Sequence, residues 1–548
     1  MKKHYARILA DSGQRVQKLF PKQIMTEANN FYYGGFRDAD GLIEPKNAIY
    51  CMTSMASVFL NKDSRWYHNS ELFERILLAI DYIKRGQREN GFFDLINCNF
   101  YSAPDTAFCI KRLQPLYHYL TEHNTDEYTE ALLTPIKEII YNGAMAITAG
   151  GFHTPNHRWA IAACLMLSSR MFNEPKFEAA ANKYLVEGID CNPDGEFAEK
   201  SAGNYNRINN DAMITLSAAT GNSQFEEHAI RNLYMMLTYI EPDGSIFTNN
   251  STRQDRGKRV YPKDYYFEYL YLGEKYKDKT LLNCANYIMD VVVEKGLSSM
   301  DCLIHYMNFP HLKELKHRGN SIPDTYQRHY RDSNIVRCRN KDFSYSILNQ
   351  SPVFLSFQSG NLTMSLKLGV SFCEHRAFHS EKLEKTDDGY QLSQQMTGWY
   401  YLPFNEPPDT TDWWKMNNSS REKVYGPNLD FKISVREVAN GIDVQIKADG
   451  IDRAPIRLEI AFDSNTRVES EGFIAEGRPG AQIVAKRGTV TVSKGDHAVQ
   501  IGPAFGEHNF VSGKFGSTPV DPNCFTVYFT DFTCFDHTLS IRGVASEY

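Results

Sequence analysis

The stretch Asp194-Gly195-Glu196-Phe197 has four counterparts in the first half of this 548-residue chain. In each of them a glycine follows a polar residue or another glycine, and a polar loop and a helix-like run come after it. The counterparts are Asp40-Gly41-Leu42, Asn90-Gly91-Phe92, Gly150-Gly151-Phe152 and Asp243-Gly244-Ser245-Ile246. Successive glycines lie 44 to 60 residues apart. This is the length of one helical hairpin, so the sequence predicts a helical array whose polar loops share one end.

Two kinds of helix alternate between these glycines. Residues 72–83 carry an apolar stripe at Leu72, Ile76 and Ile80 with charged residues beside it, which is typical of an outer helix with one wet face. Residues 160–167 are apolar on every side, which is typical of an inner, covered helix. The alternation predicts a closed helical toroid, and an open solenoid is the alternative.

The pattern changes to a two-residue alternation after about Asp324. The alternating segments are Phe343–Leu348, Val353–Phe357, Leu362–Leu368, Gly441–Ala448, Ile456–Phe462 and Gly488–Val492. They predict a large antiparallel β-sandwich. The predicted fold is therefore α+β and multidomain, with an N-terminal (α/α) toroid of helical hairpins over residues 1–322 and a C-terminal antiparallel β-sandwich over residues 323–548.

Composition excludes some classes of function. The net charge of −6 argues against a general nucleic-acid binder. No apolar run approaches the roughly 20 residues of a membrane helix, so no membrane partner is expected. The N-terminal Met1–Arg7 segment has no apolar core behind it, which predicts no secretory signal and a cytoplasmic location. The sequence leaves the oligomeric state open.

Two of the repeat loops are unusually polar, and each leads into a predicted inner helix. They cover Gly151–Trp159 and Asp194–Asp211. If both helices point the same way, their N-terminal ends meet at one mouth, where free N–H groups and partial positive charge favour anions. The polar side chains expected there are Asn156, His157, Arg158, Tyr205 and Arg207.

This set of residues suits β-elimination on a uronic acid. A donor must neutralise the carboxylate, a base must remove the weakly acidic C5 proton, and an acid must protonate the departing glycosidic oxygen. Asparagine or arginine fits the first role, histidine or tyrosine the second, and tyrosine the third. A tyrosine base needs a cation to lower its pKa from about 10. Arg207, two residues from Tyr205, is the expected cation.

The fourth loop resembles a known family. Asp194-Gly195…Glu199-x-Ser201…Tyr205-Asn206 is similar to the Asp-Gly…Glu-x-Ser-x-x-Tyr-His stretch of heparinase II/III-like polysaccharide lyases. The resemblance implies a toroid followed by a β-sandwich, with Tyr205 as catalytic acid and often also base. It also implies an Asn or Glu roughly 50 residues upstream that neutralises the uronate, and Asn156 lies 49 residues before Tyr205.

The chain departs from the family pattern in two places. Asn206 stands where the family commonly has histidine, and the Gly- and His-rich strand of the sandwich has no clean copy. The nearest candidate is the segment Ser371–His379, which makes His375 a reserve base. His375 and His379 have an H-x3-H spacing, but a divalent metal is unsupported, and the expected reaction requires no cofactor.

The polar residues of these loops and of the sandwich divide into expected catalytic residues and expected substrate contacts. The expected partner is an anionic oligo- or polysaccharide. The expected catalytic residues are Asn156, His157, Tyr205, Arg207 and His375. The expected substrate contacts are Arg158, Trp159, Asn206, Arg256 and Trp413.

Several alternatives stay open. A toroid hydrolase acting on uronyl oligosaccharides would use Asp94, Asp105 or Asp211 as acid and base. A glycan-binding solenoid would have no catalytic site at all. Asn156 is also a favourable helix N-cap residue. The run Asp255–Arg259 is typical of a solvated charged loop.

Overall fold

The computed structural model describes residues 1–26, 29–150, 154–509 and 521–545. The chain divides into two compact units. The first contains Met1–Ile240 and Gly244–Ile322, and the second contains Glu241–Asp243 and the described residues from Pro323 onward. The first unit is helical and the second consists of β-sheets, which confirms the predicted fold class.

The described residues of the first unit form twelve α-helices. They are α1 (Lys2–Leu19), α2 (Pro45–Leu60), α3 (Ser70–Gly86), α4 (Ala103–Glu122), α5 (Glu127–Ile147), α6 (Pro155–Phe172), α7 (Pro175–Leu185), α8 (Tyr205–Thr220), α9 (Gln224–Leu237), α10 (Tyr266–Lys275), α11 (Lys279–Tyr287) and α12 (Leu303–Asn308). A short hairpin of β1 (Phe93–Leu95) and β2 (Asn99–Ser102) precedes α4. Among the described residues, no helix combines the length and the apolar composition that crossing a bilayer requires.

The helices form consecutive hairpins around an inner layer. Helices α2, α4, α6 and α8 pack against one another in that order, and each is paired with the outer helix that follows it, namely α3, α5, α7 or α9. Because an outer helix returns the chain between each two inner helices, the inner helices run parallel and begin at the same end. Their N-termini therefore gather the repeat loops, as the sequence predicts.

The helical unit closes on itself. The first helix meets the last hairpin where His4 Nδ1 lies 3.1 Å from the hydroxyl of Tyr266 on α10. The amino group of Met1 also donates to the carbonyl of Leu315 at 2.9 Å. These contacts join the two ends of the helical array, which favours the toroid over the open solenoid.

The recurrent glycines have a steric reason. Gly91 and Gly195 have left-handed backbones, with φ of 89° and 99°. A Cβ there would lie 2.2 Å and 2.5 Å from backbone oxygens of α5 and α9, so only glycine fits. In the first repeat this position belongs to Gly34, whose Cβ would meet the backbone of α3 at 2.1 Å, and not to Gly41, which has open space around it. Gly151 lies outside the described residues.

The second unit contains two large sheets in its described part. Their strands are β3 (Thr325–Tyr330), β4 (Ile335–Asn340), β5 (Phe343–Leu348), β6 (Leu355–Ser359), β7 (Leu362–Phe372), β8 (His375–Ala377), β9 (Lys382–Lys385), β10 (Tyr390–Tyr401), β11 (Lys423–Val438), β12 (Gly441–Gly450), β13 (Pro455–Asp463), β14 (Thr466–Ser470), β15 (Phe473–Gly477), β16 (Gln482–Val484), β17 (Val490–Lys494), β18 (His497–Gly502), β19 (Cys524–Phe532) and β20 (Phe535–Ala545). One sheet has the order β15-β14-β17-β18-β20-β12-β11-β10-β9. The other has the order β16-β19-β13-β7-β6-β5-β4-β3, with β8 beside β7.

The two sheets enclose one apolar core, as expected for a sandwich. On β7, Leu362, Met364, Leu366 and Leu368 are buried and alternate with partly exposed residues. Side chains of the opposite sheet, such as Ile433 on β11, complete the core. Described neighbouring strands are antiparallel, except that β16 runs parallel to β19.

Candidate active site

Tyr205 is the first residue of α8 and lies half-exposed at the mouth of the helical unit. Its backbone N–H donates to Ser201 Oγ at 3.1 Å, so the preceding loop caps the helix. Its hydroxyl donates to Gln254 Oε1 at 2.9 Å. The phenol therefore faces the loop that follows α9.

The cation beside Tyr205 is Arg253, which the sequence argument missed. Its guanidinium carbon lies 5.3 Å from the centre of the Tyr205 ring, and its Nε lies 3.2 Å from Glu199 Oε1. Arg207 instead pairs with Asp264, with Nε 3.6 Å from Oδ2. Residues two apart on a helix do not share a face, so the cation that lies beside the Tyr205 ring is Arg253 and not the predicted Arg207.

Glu199 joins the two predicted loops. Its carboxylate is buried, and Oε2 accepts from the backbone N–H of Asn156 at 3.0 Å and from the side-chain amide of Asn156 at 2.7 Å. A carboxylate at the start of α6 satisfies a free helix N–H and complements the helix dipole. The start of α6 and the loop before α8 thus meet through Asn156 and Glu199, and Arg253 reaches Glu199 from the loop after α9.

The role predicted for Asn156 needs correction. The residue is fully buried, and its amide nitrogen is held by Glu199, so its side chain does not face a substrate. Its Oδ1 has no hydrogen-bond partner among the described residues. The N-cap alternative is also wrong, because the N-cap of α6 is Thr154 and Asn156 is the second helical residue. Asn156 instead positions Glu199, and through it Arg253.

Asp255 fastens the loop after α9 to the loop before α8. It is 5% exposed and accepts from Ser201 Oγ at 2.8 Å, from Ser251 Oγ at 2.6 Å and from the backbone N–H of Gly203 at 2.9 Å. The interpretation of Asp255–Arg259 as a solvated charged loop therefore fails at its first residue. Arg256, by contrast, is exposed and keeps its place as a candidate substrate contact.

Three of the predicted substrate contacts have partners within the helical unit. Trp159 is fully buried, and its Nε1 donates to Asp190. Asn206 is buried, and its amide lies 3.9 Å from the sulfur of Met236. Arg158 extends toward α7, where it donates to the carbonyl of Tyr184 at 3.1 Å. The predictions for Trp159 and Asn206 are wrong, because both side chains are buried, whereas Arg158 is partly exposed and stays a prediction.

His157 stays a candidate for proton transfer. It is half-exposed, and its ring meets the edge of Phe108 with centroids 5.7 Å apart. Lys46 Nζ lies 5.3 Å from the same Phe108 ring and pairs with Asp105 Oδ1 at 2.7 Å. Burial would lower the pKa of Lys46, but the charge and the hydrogen bond of Asp105 together outweigh it and raise that pKa. His157 therefore belongs to a line of aromatic and cationic groups across the starts of α2, α4 and α6.

The second unit carries the remaining predicted residues. His375 on β8 is half-buried, with Nε2 3.2 Å from the carbonyl of Thr397, and His379 is exposed. Trp413 is 57% exposed. Within the described ranges, no group of three or more His, Cys, Asp or Glu side chains could hold a metal ion. His375 and Trp413 stay predictions.

The aspartates of the hydrolase alternative are all ion-paired. Asp94 lies against Arg88, and Asp105 lies against Lys46. Asp211 lies 2.6 Å from Lys111 Nζ. Desolvation by the surrounding protein acts to raise the pKa of Asp211, whose side chain is nevertheless 52% exposed, but the charge and hydrogen bond of Lys111, with the nearby His305 and Arg207, lower that pKa below its usual value. A general acid needs a raised pKa, so Asp211 is not arranged as one.

Solved structures share this fold. Heparan sulfate lyase HepC (a mutant) from Pedobacter heparinus is similar over 98% of this chain and 83% of its own, with a TM-score of 0.54 and 9% identity. Chondroitin AC lyase from Streptomyces coelicolor A3, in complex with chondroitin sulphate, is similar over 99% and 80%, with a TM-score of 0.55 and 11% identity. Paenibacillus xanthan lyase reaches a TM-score of 0.58 at 11% identity, and this chain spans 57% of its length.

The likeness is one of fold. No protein-family model matches the sequence, and no curated protein matches it either. The architecture implied by the sequence resemblance, a heparinase-like polysaccharide lyase fold, is confirmed.

Proposed function

We propose that this protein is a lyase that cleaves uronic-acid-containing glycans by β-elimination. The observation that carries the proposal is the connected set Asn156–Glu199–Arg253–Tyr205. It places a half-exposed phenol beside a fixed guanidinium at the start of an inner helix. The fold shared with solved polysaccharide lyases supports the same reaction class.

The charge around this phenol suits an acidic sugar. Between Arg253 and Lys263 the chain has five cationic side chains and one carboxylate, that of Asp255. Even with the buried carboxylate of Asp255 counted, this stretch keeps an excess of four positive charges (five minus one), and the side chain of Arg256 is exposed. Positive charge in a cleft raises the local concentration of an anionic substrate and steers its approach.

In the elimination, one proton leaves C5 and one proton is delivered to the departing glycosidic oxygen. A guanidinium of the Arg253 loop or Arg207 neutralises the uronate and stabilises the enolate-like state after C5 loses its proton. The electron pair of the C5–H bond forms the C4–C5 double bond, and the C4–O bond breaks. The hydroxyl of Tyr205 protonates the departing oxygen. The base at C5 is Tyr205 in its deprotonated form or His157, and neither choice requires a redox cofactor.

The test measures the ultraviolet absorbance of the conjugated unsaturated uronate during incubation with a panel of uronate-containing glycans. Absorbance should grow with at least one glycan, and Tyr205→Phe should abolish that growth. Tyr234→Phe is the matched control, because Tyr234 is an exposed tyrosine on the outer helix α9. Reducing ends released without absorbance would overturn the proposal in favour of hydrolysis, and binding without products would favour a glycan-binding module. Activity should also survive dialysis against a chelator.

A further inference from the structure

A pocket of about 680 Å³ opens where α2 and α4 begin and α3 ends. Its walls include the aromatic rings of Phe31, Tyr32 and Tyr101, the guanidinium groups of Arg85 and Arg88, and the carboxylates of Glu89 and Asp94. Phe31, Tyr32 and Tyr101 are 53%, 45% and 52% exposed, so the pocket presents three large aromatic rings to solvent. Exposed aromatics gathered in a concave site indicate ligand binding and not core packing.

Tyr101 is held in an unfavourable conformation that keeps its ring in this pocket. Its φ is 51°, a left-handed value that is uncommon for a bulky residue. Asp94 accepts from its backbone N–H at 2.8 Å and also pairs with Arg88, whose guanidinium lies 4.7 Å from the Tyr101 ring centre. Asp94 and Arg88 thus hold a strained, exposed residue in place, and such strain is a frequent sign of a functional position.

Arg85 supplies positive charge to the same pocket. Its guanidinium donates to the backbone carbonyls of Phe31 and Tyr33 and thereby holds the aromatic loop. Among the described residues, no carboxylate forms an ion pair with it, whereas Arg88 is paired with Asp94. A guanidinium has five N–H donors, and two carbonyls do not exhaust them.

The pocket lies on the same end of the ring as Tyr205. Pro45 in its wall is the first residue of α2, and the next residue, Lys46, reaches the Phe108 ring that contacts His157 on α6. Parallel inner helices begin together, and α4 and α8 are two helix spacings of about 8–10 Å apart. A ligand that occupies both places would therefore span about 20 Å, which requires several sugar units.

We propose that this pocket is a distal saccharide subsite, in which a pyranose ring of an anionic glycan stacks on Tyr101 and Phe31 while its acid group meets Arg85. This inference rests on the proposed function and adds to it a requirement for substrate length. Flat aromatic rings with polar edges suit the apolar faces of sugars, and the unpaired guanidinium suits a carboxylate or sulfate.

The test is a titration of the full chain, made inactive by Tyr205→Phe, with saturated uronate oligosaccharides of increasing length. Affinity should rise with length, and Tyr101→Ala should weaken binding of the longest oligosaccharide by roughly tenfold but leave a disaccharide within about twofold. Arg85→Gln should act in the same direction. Tyr234→Ala, a comparably exposed tyrosine on α9, should change neither.

A second variant separates ring loss from misfolding. Tyr101→Gly removes the ring and also relieves the left-handed backbone, so it should melt at a higher temperature than Tyr101→Ala and lose the same affinity. If Tyr101→Ala weakened every length equally, or none, the subsite would be overturned. If the wild-type chain were a dimer and the Tyr101→Ala chain a monomer, the subsite would also be overturned, in favour of a contact between copies.

The experiments distinguish disproof of the distal subsite from disproof of the lyase activity. Suppose that binding depends on length and on Tyr101, but the wild-type chain forms no unsaturated product. This outcome would support the subsite and disprove the lyase activity. Suppose instead that unsaturated product forms equally well from short and long glycans and that Tyr101→Ala has no effect. This outcome would support the lyase activity and disprove the subsite.

Discussion

The starts of α6 and α8 look alike in sequence and differ in structure. Both are inner helices that begin with a run of polar residues. At α6 the amide of Asn156 is buried under Glu199. At α8 the phenol of Tyr205 is half-exposed, and it is the next residue, Asn206, that is buried. The comparison shows that two neighbouring helix ends can have different roles: the start of α6 stabilises the site, and the start of α8 exposes the reactive group.

The difference has a local cause. A carboxylate from the neighbouring loop covers the end of α6, whereas the hydroxyl and the backbone carbonyl of Ser201 accept from the first two N–H groups of α8. Glu199 therefore closes one helix end, and the small cap leaves room beside the other for Arg253.

We expect the largest effect on kcat when one residue from the start of α8 and one from the start of α6 are substituted in turn. Tyr205→Phe should lower kcat by about 10³-fold or more, because it removes the acid that protonates the leaving oxygen. His157→Gln should cost about tenfold or less if Tyr205 is also the base. Initial rates of unsaturated product formation measure both. Equal losses would show that the start of α6 is as catalytic as that of α8.

A second comparison uses two arginines. Arg253→Gln should lower kcat/KM by about 10²-fold, because it removes a fixed charge next to the reacting carboxylate. Arg158→Gln should leave kcat/KM within about twofold, since its guanidinium faces Tyr184 and Glu187 on the outer side. The result would contradict the assignment if Arg158 proved the more important of the two.

A third comparison uses two buried asparagines and measures stability. Asn156→Ala should lower the free energy of unfolding by about 1–3 kcal/mol, because it takes a donor from the buried Glu199 carboxylate. Asn206→Ala should cost about 1 kcal/mol or less, since its amide meets only a sulfur at 3.9 Å. Denaturant titration of both variants gives the two values. A larger loss for Asn206 would mean that the support of α8 has been misassigned.

The smallest expected effect concerns Glu268, which accepts from Asn210 on α8 at 3.1 Å. Burial, with the nearby charge of Asp211, raises the pKa of Glu268 well above its usual value. At pH about 4 and below, the carboxyl is protonated in the folded and unfolded chains alike; as pH rises further, only the unfolded chain releases the proton readily, so stability falls. Glu268→Gln should therefore raise Tm by about 2 °C at neutral pH and leave it unchanged at pH 4. A gain at both pH values would exclude titration as its cause.

The sequence predicted the architecture well because periodicity reports it directly. Glycines at hairpin spacing, all-apolar inner helices and period-two strands each follow from backbone geometry and burial. The strand predicted at Phe343–Leu348 coincides with β5. The misplacement of Gly41 has the same origin, since a glycine in an open turn and one pressed against α3, Gly34, look alike in sequence.

The residues of the candidate site were predicted less well than the fold, because the sequence does not fix the rotation of each helix about its axis. In a run such as Asn156-His157-Arg158, adjacent residues differ by about 100° around the helix, and the sequence does not show which one faces the mouth. Arg253 was missed because it acts from a third loop, and only folding brings it to Tyr205. One signal was available: the acidic Glu199 in the motif loop needs a cationic partner if it is buried.

The two buried carboxylates, Glu199 and Asp255, also set the order in which the site can form during synthesis. The partner of Glu199, the guanidinium of Arg253, is synthesised more than 50 residues later. Asp255, two residues further on, then accepts a hydrogen bond from Ser201 and holds the loop after α9 in place. A nascent chain that ends before Ser251 already contains the phenol and the Ser201 hydroxyl that caps its helix, but it lacks Arg253, Gln254 and Asp255. The complete set of contacts around Tyr205 can therefore form only after the loop that follows α9 has been synthesised.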